Sequence, residues 1–427
     1  MNNVYNSQLI DSLSQKKAII GVIGLGYVGL PIMLRFAEVG YKVIGYDINT
    51  QKINSLNREF QKSNNHNLTF THNISDFKAA DAICICVPTP LNKNREPDLS
   101  CVINAINQLI PVLRKGQIIS LESTTYPGTT EEEIKPRLES LGFRIGHDFF
   151  LIYSPERIDP GNKKFSLSDI PKICGGITPI CTEIGRYLYQ NIVPQIITVS
   201  STKAAEMTKL LENIYRAVNI GLVNEMKMIA DKMGIDIYEV INASATKPFG
   251  FVPYYPGPGL GGHCIPVDPF YLTWKAREYG INTHFIELAG EINNKMPEWV
   301  TTKIIDALNQ KECAIKNAKI LILGLSYKKD IDDIREAPAI QIIKLLTQKN
   351  AIVNYSDPYI KTFHLAEEDI YLSHVTLTPE KIMEYDCVVL VTDHSNVDYT
   401  LIKNHSKLII DTRGIYHKFS LSHIISA

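Results

Sequence analysis

AIIGVIGLGYVGLPIMLRFAEVGYKVIGYD, residues 18–47, joins two short apolar runs through a turn rich in glycine. The apolar run 18–23 has the composition of a buried parallel strand. Gly24, Gly26 and Gly29 follow it at once and give the pattern GxGxxG. In such a turn the first glycine permits the tight bend, the second lets backbone approach a pyrophosphate, and the third lets the next helix pack closely. The stretch therefore predicts the beginning of a dinucleotide-binding α/β domain; the alternative is a glycine-rich turn in an unrelated α/β fold.

The residues after this turn indicate which dinucleotide is bound. A helix is expected over 30–40 and a second strand over 42–46, which leads into Asp47. Asp47 lies 18 residues beyond the last of the three glycines, close to the spacing of the acid that binds a ribose 2′-hydroxyl. A carboxylate there repels a 2′-phosphate, so NAD is favoured over NADP. The predicted NAD site consists of the three glycines, Tyr27 and Val28 of the turn, and Asp47.

Polar motifs follow the later strands of the same predicted sheet. The strands are expected at 82–87, 117–121 and 151–153. Ligands of open parallel sheets lie at the carboxyl ends of strands, which places Thr89 and Thr124 toward the cofactor. Either threonine could instead cap the helix that follows it. The third strand leads into Glu156, an acid positioned for chemistry.

The middle of the chain changes to helical periodicity. From 201 to 233 the apolar positions predict one buried stripe, formed by Met207, Leu210, Leu211, Ile214, Val218 and Leu222. Lys209 and Asn213 are spaced i, i+4 and share a helix face, which could equally be an ordinary polar face. A further helix is expected over 237–243, and residues 270–308 read as helical with an interruption near Pro297.

A glycine- and proline-rich loop, PGPGLGGHCIPVDPF at 256–270, carries one cysteine, Cys264. Backbone with so few side chains lets a bulky ligand approach the sulfur, and Asp268 follows four residues later. The loop therefore favours an exposed, reactive thiol. The alternative is an incidental buried cysteine in a turn. No pair among the eight cysteines has zinc-ligand spacing, so we expect reduced thiols and no metal site.

At Ala318 the chain begins the first pattern again. AKILILGLSYKKD repeats AIIGVIGLGYVG, a helix is expected over 338–348, and the strand 351–356 ends on Asp357 as the earlier one ended on Asp47. The second copy keeps Gly324 but lacks the other glycines, so it should not hold a pyrophosphate in the same way. The later runs 387–392 and 407–411 complete a smaller sheet.

These patterns predict an α/β protein with two Rossmann-like parallel-sheet domains joined by a helical central domain. We expect the NAD-binding domain over 1–200, the helical domain with the cysteine loop over 201–305, and the second Rossmann-like domain over 306–427. A cleft between two such α/β units is a usual place for a ligand.

Composition limits the possible partners. The 427 residues carry a formal net charge of −1, which gives no electrostatic footprint for nucleic acid or an anionic membrane. The polar leader, residues 1–17, lacks a secretory signal pattern, and the longest apolar stretch, 18–37, is interrupted by glycines, Pro31 and Arg35. We expect a soluble cytoplasmic protein that binds neither nucleic acid nor membrane.

Seven motifs in order resemble the UDP-glucose/GDP-mannose dehydrogenase family over residues 18 to 415. They are GLGYVGLP at 24–31, PTP at 88–90, STTYPGTT at 123–130, SPER at 154–157, the Lys209/Asn213 helix, GLGGHC at 259–264 and SYKKDIDDIRE at 326–336. The sequence GGHC followed by PVDPFYL is similar to the branch that acts on UDP-N-acetylhexosamines. Residues 1–17 are not part of the common pattern.

The resemblance implies an oxidoreductase that takes the C6 alcohol of a UDP-sugar, with UDP-N-acetylglucosamine favoured, to a carboxylate while two NAD⁺ are reduced. It assigns Cys264 as the thiolate nucleophile and Lys209 as the cation beside the reacting oxygens. Asn213 and Asp268 match partners that orient water and the lysine. Thr124 and Glu156 match residues that position water or assist proton transfer.

The resemblance also implies binding sites and assembly. Arg335 is expected to reach the cofactor side, beside Thr89 and Thr124. The residues expected to bind the UDP-sugar are Glu156, Arg157, Lys209, Asn213, Phe251, Tyr254, Tyr255, Gly261, His263 and Lys328. We interpret His263 as shaping the sugar pocket, with tuning of the thiol as the alternative. The long helix from 201 is expected to form the core of a homodimer or higher oligomer, and the products of the family usually enter surface polysaccharides.

Other activities are compatible with parts of the sequence. UDP-N-acetylgalactosamine, UDP-glucose and GDP-mannose are alternative substrates, because the sugar depends on contacts in a folded pocket. An epimerase that uses NAD transiently, or a non-catalytic NAD sensor, could share the scaffold. An epimerase needs no trapping thiol and a sensor needs neither Cys264 nor Lys209, so both residues favour the dehydrogenase.

Overall fold

Mostly apolar runs of three to five residues form the strands of two mainly parallel sheets and of one antiparallel two-stranded sheet. The computed structural model describes residues 4–60, 67–158, 165–262, 265–365 and 369–427. The chain divides into two compact units, one of Met1–Glu212 with Phe270–Ile281 and the other of Asn213–Pro269 with Asn282–Ala427. His263 and Cys264 lie outside the described residues, so their predicted roles stay predictions.

The secondary structure alternates between strands and helices in both halves of the chain. The strands are β1 (Ile19–Ile23), β2 (Lys42–Tyr46), β3 (Leu68–Thr71), β4 (Ala82–Ile85), β5 (Ile118–Leu121), β6 (Phe150–Tyr153), β7 (Lys172–Gly176), β8 (Ile196–Thr198), β9 (Lys319–Leu323), β10 (Ile352–Ser356), β11 (Phe363–Leu365), β12 (Ile370–Leu372), β13 (Cys387–Leu390), β14 (Ile409–Asp411) and β15 (Ile424–Ser426). The α-helices are α1 (Val4–Ser14), α2 (Gly29–Glu38), α3 (Thr50–Phe60), α4 (Ser100–Leu109), α5 (Lys135–Glu139), α6 (Pro179–Tyr189), α7 (Thr202–Met233), α8 (Ile237–Ser244), α9 (Asp268–Glu278), α10 (His284–Asn309), α11 (Pro338–Gln348), α12 (Pro379–Met383) and α13 (Tyr399–His405).

The sheet of the first unit has the strand order β3-β2-β1-β4-β5-β6-β7-β8, and every neighbouring pair is parallel except β6 with β7. The order reverses between β1 and β4, which is where ligands of open α/β sheets bind. Both faces of the central strands are buried. On β1, for example, Ile20 and Val22 join one hydrophobic cluster while Ile23 joins the other. A strand covered on both faces needs an apolar residue at every position, which is the pattern of the run 18–23.

The second unit contains a parallel sheet with the order β10-β9-β13-β14-β15. Its central strand β9 is also buried on both faces, with Ile320 and Ile322 in one cluster and Leu321 and Leu323 in the other. Strands β9 and β10 and helix α11 repeat β1, β2 and α2. The predicted fold, two parallel-sheet domains with a helical region between them in sequence, is confirmed.

The predicted helical interruption near Pro297 is wrong. Helix α10 runs through Pro297 without a break, and the chain instead leaves the helical conformation after Glu278, where Gly280 has φ 70°. Glycine tolerates this left-handed conformation, which ends a helix. The proline removes one backbone donor from α10, and the helix nevertheless continues to Asn309.

The predicted single buried stripe on α7 is also wrong. Leu210 and Ile214 are buried, but Met207, Leu211 and Leu222 are 42%, 62% and 54% exposed. The apolar positions therefore cover two faces of the helix, and only one of them is packed within the chain. Further exposed apolar side chains extend the second face along the helix, namely Tyr215, Met226, Ile229 and Met233.

Within the described parts of the chain, no helix is both long enough and apolar enough to cross a membrane.

Candidate active site

The GxGxxG turn after β1 has the geometry that a dinucleotide site needs. Gly24 has φ 88°, and an added Cβ there would lie 2.7 Å from the Cys86 carbonyl oxygen. A Cβ on Gly29 would lie 1.9 Å from the Gly24 oxygen, so this glycine allows α2 to pack closely. A Cβ on Gly26 would meet no protein atom within 4 Å among the described residues. Since internal packing does not require Gly26, the open space beside it fits a bound pyrophosphate.

Asp47 follows β2 and closes the same turn. One carboxylate oxygen accepts a hydrogen bond from the Leu25 amide at 3.1 Å, and the other accepts from the Asn49 amide at 3.0 Å. Lys52 forms an ion pair with Asp47 at 3.2 Å. The acid is therefore held at the end of the strand, where a ribose hydroxyl would be recognised. Together with the glycines, it makes the turn fit NAD.

The second copy of the pattern keeps the hydrogen bond between the turn and the acid, but it lacks the second and third glycines of the first copy. The Leu325 amide donates to Asp357 at 2.7 Å, as Leu25 does to Asp47. Asp357 is fully buried and also contacts His394 Nε2 at 3.1 Å. The Asp330 amide donates to His394 Nδ1 at 3.0 Å, which fixes the tautomer with hydrogen on Nε2. Asp357 thus anchors the loop that begins at Leu325, in the position equivalent to that of Asp47 in the first copy.

The SPER motif forms a turn after β6 that two lysines hold. Lys209 Nζ donates to the main-chain oxygen of Glu156 at 2.7 Å, so two predicted catalytic residues lie together in the first unit. The carboxylate of Glu156 accepts from the amides of Arg157 and Ile158 at 2.6 and 2.7 Å through one oxygen. Lys172, the second lysine, contacts the main chain just before Glu156.

The side chain of Arg157 is held by contacts with protein groups around the turn. Its guanidinium group pairs with Glu212 at 2.6 Å and donates to the Pro171 oxygen at 2.7 Å. A role in substrate binding therefore has to compete with these contacts, and the sequence did not predict either of them.

Behind the turn lies a buried charge cluster that the sequence reasoning missed. Lys172 is 2.6 Å from Glu122 and 3.7 Å from Glu156, and the Tyr189 hydroxyl donates to the second oxygen of Glu122. Burial lowers the pKa of Lys172, but the negative charges of the two glutamates outweigh this effect and raise it above its ordinary value. Burial raises the pKa of Glu122, against the opposing effect of Lys172. The position of Glu122 at the carboxyl end of β5 was a usable signal.

The two predicted cofactor-facing threonines follow β4 and β5. Thr89 is buried and Thr124 is partly exposed. The rest of the STTYPGTT motif is tied to α7 by Glu206, whose carboxylate accepts from the amides of Gly128 and Thr130 at 2.6 and 2.9 Å. Burial raises the pKa of Glu206 to about 7, although these hydrogen bonds oppose the shift.

In the second unit, Asn213 and Asp268 form a buried pair. Asn213 Nδ2 donates to Asp268 Oδ2 at 2.5 Å, and both side chains are nearly inaccessible to solvent. Asp268 is the first residue of α9, where the positive end of the helix dipole favours a carboxylate. Two predicted site residues from separate motifs are therefore in direct contact.

The glycines before Cys264 have a packing function that the sequence reasoning did not foresee. A Cβ on Gly261 would lie 2.5 Å from the Cβ of Tyr327, and a Cβ on Gly262 would lie 2.9 Å from the Tyr327 ring. The Gly262 amide also donates to the Arg335 oxygen at 2.9 Å. The segment lies directly on the SYKKDIDDIRE motif, and side chains at either glycine would separate the two.

The segment 251–257, which contains three of the residues expected to bind the UDP-sugar, is anchored at several points within the second unit. The Gly257 amide donates to Asn224 Oδ1 at 2.9 Å, and the Tyr255 hydroxyl donates to Asn242 at 2.7 Å. The ring of Tyr254 packs edge-on against Tyr215. Phe251 is 38% exposed and is available to a ligand.

The two basic residues predicted in the second domain differ in their surroundings. Arg335 makes a two-pronged contact with Asp333, with its closest approach at 2.6 Å. The main-chain oxygen of Lys328 accepts from the Ser326 hydroxyl at 2.8 Å, which fixes the backbone of this loop.

Comparison with known proteins covers most of the chain. Models of the UDP-glucose/GDP-mannose dehydrogenase family match in order: the NAD binding domain over residues 18–193, the central domain over 203–295 and the UDP binding domain over 321–418.

Relatives with different sugars are similarly close. UDP-N-acetyl-D-glucosamine 6-dehydrogenase of Pseudomonas aeruginosa is 36% identical, over 91% of this chain and 93% of its own. UDP-N-acetyl-D-mannosamine dehydrogenase of Pyrococcus horikoshii is 34% identical, over 93% of this chain and 95% of its own. A solved structure of UDP-D-ManNAc dehydrogenase from P. horikoshii superposes with a TM-score of 0.84 at 33% identity, covering 93% of this chain and 96% of that chain.

Proposed function

Because the chain belongs to the UDP-glucose/GDP-mannose dehydrogenase family and is an NAD-dependent nucleotide-sugar dehydrogenase, we propose that its substrate is a UDP-N-acetylhexosamine, with UDP-N-acetylglucosamine first. The enzyme oxidises the C6 alcohol of the sugar to a carboxylate. Each of three domains has its own function: residues 1–200 bind NAD, 201–305 carry the cysteine loop, and 306–427 bind the UDP moiety.

The observation that carries the proposal is the contact between Lys209 and the main-chain oxygen of Glu156 at 2.7 Å. It joins the SPER turn to the lysine of the long helix, two elements separated by more than fifty residues. An epimerase or a sensor has no use for a cation held at this turn. A dehydrogenase that forms oxyanions does.

The chemistry is divided among a small set of side chains. Cys264, as thiolate, adds to the C6 aldehyde and forms a hemithioacetal, whose further oxidation leaves a thioester. Bound NAD supplies the acceptor for the hydride in each oxidation. Lys209 stabilises negative charge on the reacting oxygen, while Asn213 and Asp268 orient water and the lysine. Glu156 accepts a proton from the water that releases the acid, with Thr124 beside it in this role.

Binding of the substrate and cofactor uses the residues around this set. Lys328 and Gly261 contact the sugar nucleotide, as do Phe251, Tyr254 and Tyr255 of the anchored loop. His263 shapes the sugar pocket, and Arg157 contributes beside Glu156. Thr89 and Arg335 act on the cofactor side.

A second candidate substrate is UDP-N-acetyl-D-mannosamine. Its support is the similarity, at 34% identity, to the UDP-N-acetyl-D-mannosamine dehydrogenases of P. horikoshii and Methanococcus vannielii. The two sugars differ in the configuration at C2, so the same C6 chemistry serves either.

A panel of UDP-sugars tests the function directly. NADH formation at 340 nm is measured with the N-acetylglucosamine, N-acetylmannosamine, N-acetylgalactosamine and glucose derivatives, and the product is analysed by mass spectrometry. We expect two NADH per sugar and a carboxylate product without free aldehyde. In Cys264→Ser, turnover should fall by several orders of magnitude, because an alcohol is a poor trap and an ester a poor acyl intermediate. One NADH per sugar with released aldehyde would remove the cysteine from the mechanism.

The second apolar face of α7 supports a homodimer. Leu211 and Leu222 are among its members, and both are more than half exposed in the single chain. A second copy of the same helix offers a matching apolar surface, which is how a two-fold interface is built.

A further inference from the structure

Lys172 lies behind the SPER turn. Its three ammonium hydrogens have three acceptors. Nζ lies 2.6 Å from Glu122 Oε2 and 3.3 Å from the main-chain oxygens of both Ser154 and Pro155. The last two residues directly precede Glu156. The lysine therefore fixes the backbone from which the side chain of Glu156 projects, while Glu122 fixes the lysine.

The carboxylate of Glu156 has one oxygen left for another partner. Oε1 accepts two backbone amides, but Oε2 is buried and has no hydrogen-bond partner among the described residues. Glu156 as a whole is only 6% exposed. A buried oxygen without a donor costs about 1–3 kcal/mol, so a position of this kind is retained where a water or substrate hydroxyl completes it.

Lys172 lies beside this oxygen without occupying it. Nζ is 3.7 Å from Oε2, close enough for attraction but too far for a hydrogen bond. The lone pairs of Oε2 therefore stay available to a donor such as water, as the position of a general base requires.

We propose that Lys172 is a positioning residue for the hydrolytic half of the reaction, which fixes the backbone before Glu156 and so holds the free carboxylate oxygen of Glu156 toward the attacking water. The proposal rests on the proposed function. In this step the water oxygen bonds to the acyl carbon and the carbon–sulfur bond breaks, with its electron pair remaining on the enzyme thiolate. One water proton passes to Glu156 Oε2, and the other leaves from the new carboxylic acid.

Loss of Lys172 should slow hydrolysis, which is the last chemical step of the reaction. Oxidation of the sugar precedes hydrolysis, so a fault at Glu156 should leave the two oxidations intact and delay release of the acid. In Lys172→Met we expect a rapid burst of two NADH per active site followed by slow turnover. The steady-state kcat should fall at least about tenfold, within the ~10²–10⁴-fold that general base catalysis supplies. KM should fall with kcat and leave kcat/KM nearly unchanged, because the acylation half is intact.

Two further variants separate this role from folding. Lys172→Met with Glu122→Gln removes the buried glutamate charge that the single variant leaves without its ammonium, and should show the same burst. Lys275→Met is the matched control in the same unit: Lys275 is also buried, and it pairs with Glu132 and Glu278 at 2.7 Å each. It should lower the melting temperature without producing a burst.

The assay is stopped-flow NADH absorbance with the wild-type enzyme's preferred UDP-sugar, followed by intact-protein mass spectrometry of the quenched mixture. An acyl-enzyme adduct in both Lys172 variants, absent or weaker in the wild type and in Lys275→Met, supports the proposal. A folded double variant without a burst, or a parallel fall of kcat and kcat/KM, overturns it. Failure of the wild type itself to form NADH with any UDP-sugar would instead refute the proposed function on which it rests.

Discussion

Asp47→Asn should change the cofactor preference through loss of charge alone. The amide oxygen of asparagine can still accept from the Leu25 amide, so the turn keeps its 3.1 Å contact. A charge-assisted hydrogen bond to a ribose hydroxyl contributes about 1.5–3 kcal/mol, and replacing it by a neutral one removes roughly half of that. We therefore expect kcat/KM for NAD to fall by about fivefold to tenfold.

The effect on NADP should have the opposite sign. Loss of the carboxylate removes its repulsion of a 2′-phosphate, and it also releases Lys52, now 3.2 Å from Asp47, to pair with that phosphate. Combined with the loss for NAD, the ratio of the two kcat/KM values should shift by about a hundredfold or more. In Asp47→Asn with Lys52→Ala, much of the gain with NADP should disappear.

Initial rates with both cofactors, at saturating UDP-sugar, measure the ratio. Asp357→Asn is the matched control, since Asp357 holds the Leu325 amide in the second copy of the pattern without facing a dinucleotide. It should reduce stability and leave the ratio unchanged. Equal use of NAD and NADP by the wild type, or an unchanged ratio in Asp47→Asn, would show that the carboxylate of Asp47 does not select the cofactor.

Three other predictions each concern one residue. Lys209→Ala should lower turnover by about a hundredfold to a thousandfold, with NAD and UDP affinities nearly constant in calorimetry; near-normal turnover would remove Lys209 from the chemistry. For Glu206, the pKa of about 7 in the folded state exceeds its ordinary value of 4.5, so its contribution to stability is present below pH 4.5 and is lost as the pH rises through 7. Melting temperatures of Glu206→Gln should therefore lack that loss between pH 5 and 8, and parallel curves would contradict the assignment. Leu222→Lys should yield monomers in light scattering if the exposed face of α7 pairs two chains, whereas an unchanged mass would exclude this face.

The parts of the fold that could be predicted depend on short-range rules. A strand buried on both faces must be apolar throughout, and a tight turn beside it must contain glycine, so the positions of β1, the turn and Asp47 are readable in the sequence. The repeat at Ala318 was readable for the same reason. Its Asp357 even makes the equivalent hydrogen bond to the backbone.

The parts that could not be predicted depend on which surfaces meet. Leu210 and Leu211 are adjacent leucines in the sequence, yet one is fully buried and the other is 62% exposed. Lys172 has no periodic signal, and only the fold shows that it lies between two glutamates that are distant in sequence. Pro297 carries a local signal for a break, yet α10 runs through it. Packing and contacts that form only in the folded chain decide these cases.

The contact of Gly261 and Gly262 with Tyr327 has a mechanical consequence. No side chain separates the loop from this ring, and a protein interior at such close approach transmits displacement instead of absorbing it. Tyr327 is followed at once by Lys328 in a loop that His394 and Asp357 hold rigid. Any displacement of Tyr327 therefore moves the backbone at Gly262, two residues before the cysteine, so the 326–330 loop and the cysteine loop shift together.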